Sequence, residues 1–250
     1  MHHPTTWLTG YIPDLPTPFD DNGDIDLASF RQLCERQTAA GARALVVGET
    51  TGEDSTLTAP EHSALVRVAV RASRGRAAII AGAGSNSTSQ AIALTTLAET
   101  DGADAVLSVV PYYNKPMQSG IHAHFRAIAD STRLPIILHD VPSRTIRELS
   151  DDTLLRLAES GQFIGLRDAT GDITRPLRLR STMRAEFRLL SGDDTTAPAF
   201  RRRFAPSGQA NPAGITAARA RRNQYRRQSP RAPPCVRLTR GSPGAAGSPP

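Results

Sequence analysis

The sequence predicts a parallel (β/α)8, or TIM, barrel in which strand 8 and the C-terminal helices are missing. Three observations predict it. Short runs recur through the first 192 residues, and each is apolar along its whole length, as strands buried on both faces must be. Helical segments with readable start signals separate the runs, giving a repeat of about 28 residues. No G-x-G-x-x-G follows the first run, which weakens the alternative of an open, doubly wound dinucleotide-binding sheet.

The elements follow in order. A first, weaker run lies in "YIPDLPTPF" (11–19). Six clearer ones come after it: "RALVVG" (43–48), "AAIIAG" (77–82), "DAVLSVV" (104–110), "PIILHDV" (135–141), "FIGLR" (163–167) and "FRLLSG" (187–192). Between them, Thr58 with Glu61 and Ser87 with Gln90 fit the reciprocal capping box, and Asp26 and Ser150 are good N-caps. Gly41, Gly102 and Gly161 sit where helices should stop. "AGAGSNS" (81–87) reads as a tight strand-to-helix turn or, less simply, as a phosphate cradle.

The composition changes after Phe200. Residues 1–200 hold 19 basic and 24 acidic residues and form the expected barrel domain, strands 1–7. Residues 201–250 hold 11 arginines, eight prolines and no lysine, aspartate or glutamate, so the tail carries +11 against −5 for residues 1–200 and makes the chain's formal net charge of +6 positive. It has no apolar run to offset its ordering entropy and is expected to be disordered. Arg, Pro, Ala and Gly all have GC-rich codons, so the tail also reads as a shifted frame. Only Phe204 and Tyr225 could stack on bases there, and no motif accompanies them, so no nucleic-acid partner is expected. Without an eighth strand, strands 1 and 7 would expose unpaired edges.

Two isolated cysteines, Cys34 and Cys235, make neither a disulfide framework nor a metal cluster, and Cys34, inside a helical pattern, reads as a buried filler. No metal and no cofactor are expected. The start "MHHPTTWLTG" lacks a charged segment followed by an apolar stretch, and no run approaches the roughly 18 apolar residues of a membrane span. A cytoplasmic location without a membrane partner is the expectation.

In such a barrel the functional groups gather where the strands end. Those positions carry Glu49, Thr50 and Thr51, then Tyr112 and Tyr113, then His139 and Arg144, then Arg167, and finally Ser191 to Asp194. Hydroxyls, phenols, an imidazole and guanidiniums at one mouth suit a small anionic substrate and proton transfer. Each residue also has a plainer reading. The threonines can cap a turn, the tyrosines can stiffen a loop between Pro111 and Pro116, and His139 can be a satisfied core histidine. Arg144 can be a surface ion-pair partner, and Arg167 a structural charge paired with Asp168 or a neighbour.

The stretches "TTGEDSTLTAPEH", "IIAGAGSNSTSQAI", "PYYNKPMQSGIHAHFRAIAD", "LPIILHDVPSRT", "FIGLRDATGD" and "LLSGDD" carry a resemblance from residue 11 to about 199. They resemble the dihydrodipicolinate synthase (4-hydroxy-tetrahydrodipicolinate synthase) family of class I pyruvate aldolases, the superfamily that includes N-acetylneuraminate lyase. The resemblance implies a TIM barrel, assembled as a homotetramer. It implies a lyase that condenses pyruvate with an aldehyde co-substrate, aspartate semialdehyde, in lysine biosynthesis through diaminopimelate. It places a Schiff-base lysine at the end of the sixth strand and a proton-relay tyrosine at the end of the fifth. It assigns Thr50 to the relay, Thr51 to the pyruvate carboxylate and Tyr113 to a phenol lent by a neighbouring subunit. Arg144 matches the arginine that receives the second substrate.

Three positions depart from that pattern. Arg167 stands where the lysine should be. Imine formation needs a neutral amine, which a lysine of pKa about 10.4 supplies in small amount and an arginine of about 12.5–13.8 does not. Lys115, the only lysine in the chain, falls by resemblance in the loop after the fourth strand. His139 replaces the relay tyrosine, "HDVP" for "YNVP". Glu49 replaces a glycine, and a carboxylate there should repel an anionic substrate, whereas Arg167 retains the donors to grip a keto-acid carboxylate. The sequence therefore predicts a family activity impaired at its covalent step. The alternative is an inactive truncated relative, either a keto-acid binder or a gene remnant.

Overall fold

The computed structural model describes residues 3–198 and the backbone of 214–217. Strands and helices alternate as the apolar runs predict. Strand β1 spans Tyr11–Pro13, β2 Ala44–Val47, β3 Ala78–Gly82, β4 Ala105–Val109, β5 Ile136–Asp140, β6 Phe163–Asp168 and β7 Arg188–Ser191. The helices are α1 (Leu27–Ala39), α2 (Ala59–Ser73), α3 (Thr88–Thr100), α4 (Gln118–Asp130), α5 (Pro142–Thr145), α6 (Asp151–Ala158) and α7 (Arg175–Arg180). Every strand pairing is parallel. The sheet closes on itself where Leu15 N–H donates to the Val46 carbonyl at 2.9 Å, between the ends of β1 and β2.

One strand lies where the sequence reading expects none. Gly214–Ala217 forms β8, which pairs with β1 on one side and β7 on the other. The reading treats strand 8 as missing because the tail holds no apolar run. The short "GITA" segment nevertheless carries two β-branched residues suited to extended backbone, and the two open edges offer it a ladder on both sides. The strand order β1-β8-β7-β6-β5-β4-β3-β2 is that of an eight-stranded barrel. The expected loss of the C-terminal helices, the rest of the tail and Cys235 all lie outside the described residues.

The helix starts follow their chemistry. Thr58 and Glu61 form the complete capping box, and the Asp26 and Ser150 side chains accept backbone N–H bonds at the starts of α1 and α6. Ser87 caps α3, but only half of the expected box forms, because the Gln90 side chain turns to Ser85 instead. Gly41 and Gly102 take the left-handed conformation after α1 and α3; α6 already ends at Ala158, short of Gly161. In "AGAGSNS" the glycines answer close backbone approach, which favours the turn reading. A Cβ on Gly82 would lie 2.0 Å from the Gly48 carbonyl oxygen, and one on Gly84 2.5 Å from the Val109 nitrogen.

Two cores result. The larger lies between strands and helices and contains Cys34, whose thiol burial pushes up to about 12. The smaller fills the barrel with Leu8, Ile12, Val46, Ile80, Leu107, Ile137, Ile164 and Leu190. Above that inner layer the lumen turns polar. Among the described residues no helix is long and apolar enough to cross a membrane.

Candidate active site

A β-bulge decides what β6 delivers to the lumen. Phe163 packs in the outer core and Ile164 in the inner one, as strict alternation requires. The register against β5 then shifts, so Gly165 rather than Ile164 faces Ile137. Beyond the shift Leu166 returns to the outer core and Arg167 points into the barrel. Without it the alternation would send Arg167 outward. Gly165 permits the bulge, because a Cβ there would come within 2.7 Å of the Arg188 carbonyl oxygen.

Arg167 is buried, and two carboxylates hold it. Its Nη2 donates to Asp14 Oδ2 at 2.9 Å and its Nη1 to Glu49 Oε2 at 3.0 Å. Glu49 turns its other oxygen to His139, with Nδ1 to Oε1 at 2.7 Å, and accepts the Thr50 N–H at 2.5 Å. Asp14, Glu49, His139 and Arg167 come from the ends of β1, β2, β5 and β6. They form one buried chain of charge-assisted hydrogen bonds across the mouth. His139 and Arg167 are register partners on adjacent strands, whereas Glu49 reaches both from the opposite wall.

The environment sets the charges. Burial raises the Glu49 carboxyl, but His139 and Arg167 outweigh it and hold the group well below the usual carboxylate range. Burial works against the Arg167 charge, and the two carboxylates more than restore it. His139 is pushed down, first by burial and then by Arg167 against the pull of Glu49. Asp14 is raised to about 6 by burial, with Arg167 opposing. One guanidinium therefore balances one firmly ionised carboxylate, and Asp14 carries the surplus.

A second charged group lies behind the first, on the outward side of the same strands. Arg175 Nη1 donates to Asp140 Oδ2 at 2.6 Å and its Nε to Asp151 Oδ1 at 2.8 Å, and it lies 3.7 Å from Asp168 Oδ2. Asp140 and Asp168 are register partners, so each strand presents a lumen-facing residue and then an outward carboxylate. Burial raises Asp140 to about 6.

The sequence-derived candidates divide. Glu49, His139 and Arg167 come together, and the Thr51 hydroxyl is near enough to Asp14 to lower its pKa. Thr50 follows Glu49 in a short 3-10 turn, Thr50–Gly52. Arg144 lies exposed on α5, and its charge reaches His139 and Asp54. Tyr113 stands apart, 87% exposed and held at φ +67° on the β4–α4 loop. Lys115 is exposed on that loop. Arg167 does pair with carboxylates, but with Asp14 and Glu49 instead of Asp168, which caps Thr170 through N–H and hydroxyl bonds. Glu49 is likewise no free anion facing a substrate, since Arg167 neutralises it. Asp14 is the member that sequence reading missed. Its signal was an acid closing the first strand inside "YIPDLP", and its partner lies 153 residues away. Among the described residues no group of three His, Cys, Asp or Glu side chains is arranged to hold a metal.

The comparisons agree with this architecture. The family model described as "Dihydrodipicolinate synthetase family" matches residues 7–207. The chain is 47% identical over 192 residues to the 4-hydroxy-tetrahydrodipicolinate synthase of Dechloromonas aromatica and 48% identical over 193 residues to that of an Azoarcus strain. Each match covers 77% of this chain and 66% of the relative, so the chain spans just under two thirds of those proteins. Among solved structures, dihydrodipicolinate synthase from Aquifex aeolicus superimposes with a TM-score of 0.77 at 36% identity, covering 84% of this chain and 69% of that one. The pyruvate complex of the Acinetobacter baumannii enzyme gives 0.78 at 40%, covering 84% and 70%. A barrel with this strand order, matched along most of its length, belongs to the dihydrodipicolinate synthetase family.

Proposed function

We propose that this chain is a dihydrodipicolinate synthase-like protein that binds a small α-keto acid, pyruvate by descent, without forming an imine. The inherited lyase reaction, condensation of pyruvate with aspartate semialdehyde on the route to lysine, is impaired here at its covalent step. The observation that carries this reading is the state of Arg167. A Schiff base requires a nitrogen with a free electron pair, and the guanidinium keeps its charge. Asp14 and Glu49 reinforce that charge by engaging both terminal nitrogens.

Two further features support a working fold over a gene remnant. The unusual residues Glu49, His139 and Arg167 satisfy one another, and Asp14 completes the set. Substitutions accumulating without function have no reason to be mutually complementary inside one barrel mouth. Tyr113 and Met117 are exposed on a single loop, as a phenol lent to a neighbouring subunit in a homotetramer would require. In this reading Thr51 receives the keto-acid carboxylate, Arg144 the incoming co-substrate, and Thr50 and Tyr113 keep their relay places.

The test is to incubate the full chain with pyruvate, reduce with borohydride and measure the mass. Saturation-transfer NMR with pyruvate should report binding, and the mass should remain unmodified. A mass gain on a peptide containing Arg167 overturns the reading.

A further inference from the structure

Glu49 and His139 have the geometry of an oriented base. The carboxylate holds Nδ1 at 2.7 Å and so fixes both the ring's plane and its tautomer. Glu49 itself is immobilised by Arg167 and by the Thr50 N–H. Nε2 is the second ring nitrogen, and no side chain among the described residues takes it. A buried base, positioned by a carboxylate that is positioned in turn, is the arrangement that activates proton abstraction in unrelated folds.

We propose that His139 is a general base that enolises the bound α-keto acid without a covalent intermediate, with Glu49 as its positioning residue; this rests on the keto-acid reading above. A C3–H bond of the substrate breaks and its proton passes to Nε2. The C3–H bonding pair becomes the C2=C3 double bond and the carbonyl π pair moves to oxygen, giving an enolate beside the new imidazolium. Return of a solvent-exchanged proton from the imidazolium to C3 restores the keto acid, so no oxidant, reductant or second substrate is consumed. The substrate class is a small α-keto acid with at least one hydrogen on C3. Glu49 offsets the imidazolium charge as it forms, and Thr51 keeps the substrate carboxylate as in the reading above.

The reaction has a direct readout, the loss of the pyruvate methyl proton signal in deuterium oxide. With the full chain, exchange should exceed that of His139→Phe by at least tenfold, and added imidazole should restore part of the rate to His139→Ala. Glu49→Gln should slow exchange and move its pH profile. The charged groups acting on His139 are Glu49 from β2, Arg144 from α5 and Arg167 from β6, with Asp14 from β1 bonded to Arg167 behind them. An unchanged profile in Glu49→Gln would refute the positioning role. Pyruvate that binds by saturation transfer but exchanges at the buffer rate overturns the proposal while the keto-acid reading stands. Absence of pyruvate binding overturns both. Exchange accompanied by a borohydride-reducible adduct also overturns both, because a covalent enamine would then explain it.

Discussion

His139 and Glu49 meet across the barrel mouth, Nδ1 to Oε1 at 2.7 Å, although 90 residues separate them. That contact joins Glu49, His139 and Arg167 into one unit. Glu49 compensates Arg167, orients His139, and is itself kept ionised by both. Removing Arg167 alone would leave Asp14 and Glu49 without a cation, and removing Glu49 alone would leave His139 without its orienting partner.

The stability consequences are unequal. Removing Glu49 leaves Arg167 paired with Asp14, a balanced couple. Removing Arg167 leaves two buried carboxylates without a cation. Arg167→Met should therefore cost about 3–5 kcal/mol, and Glu49→Gln about 1–2 kcal/mol. Urea unfolding of the two variants beside the parent chain gives the order; equal costs would contradict the charge accounting.

Restoring the lysine alone should not restore the chemistry. In Arg167→Lys the ammonium would sit between Asp14 and Glu49, and both would favour its protonated form. Pyruvate and borohydride should leave that variant unmodified. Adding Glu49→Gly and Asp14→Ala should free the amine and produce the adduct. An adduct on the single variant would show that the flanking carboxylates exert no such hold.

The pH dependence follows from the raised aspartates. Asp14, Asp54 and Asp140 each sit near 6, against an ordinary value of 3.8. Between those limits the folded chain binds more protons than the unfolded one. The stability these three groups contribute is therefore fully present below about 4 and is lost as the pH rises through 6, whereas Glu49, held low, contributes in the opposite sense. Asp140→Asn keeps an acceptor for Arg175 and Leu149 but removes one titration. It should flatten the fall by about 3 kcal/mol. Denaturant titrations at pH 3 and 7 in both chains measure the difference, and parallel curves would exclude Asp140 as a contributor.

The bulge in β6 can be tested at Gly165. An alanine Cβ would stand 2.7 Å from the Arg188 carbonyl oxygen, and backbone in a sheet centre does not yield cheaply. Gly165→Ala should lose about 1–3 kcal/mol and shift the pH profile of any His139-dependent reaction as Arg167 moves. An unchanged melting temperature would mean the two strands can separate there without cost.

Much of this was legible in the residues themselves. All-apolar runs gave β2 to β7 because strands buried on both faces have no polar period to hide, and Thr58, Asp26 and Ser150 marked helix starts through local side-chain chemistry. Glu49, His139 and Arg167 stood out singly at strand ends. Their connection did not, because it is made through the lumen between residues far apart in the chain. Asp14 was hidden for the same reason, in a run broken by Pro13 and Pro16. The missed strand β8 reflects a different limit: Gly214–Ala217 is extended because two edges await it, a cause its four residues do not contain.

The bond from Asp14 to Arg167 joins positions 153 apart, and Arg167 also grips Glu49 on the far wall. Loops this long are costly to close before the intervening strands assemble, so this ionic spoke should form late. Cutting it should leave the speed of folding nearly untouched while the finished barrel opens sooner. The position at which the family resemblance implies a Schiff-base lysine holds, in this chain, a brace that governs how long the wheel stays round.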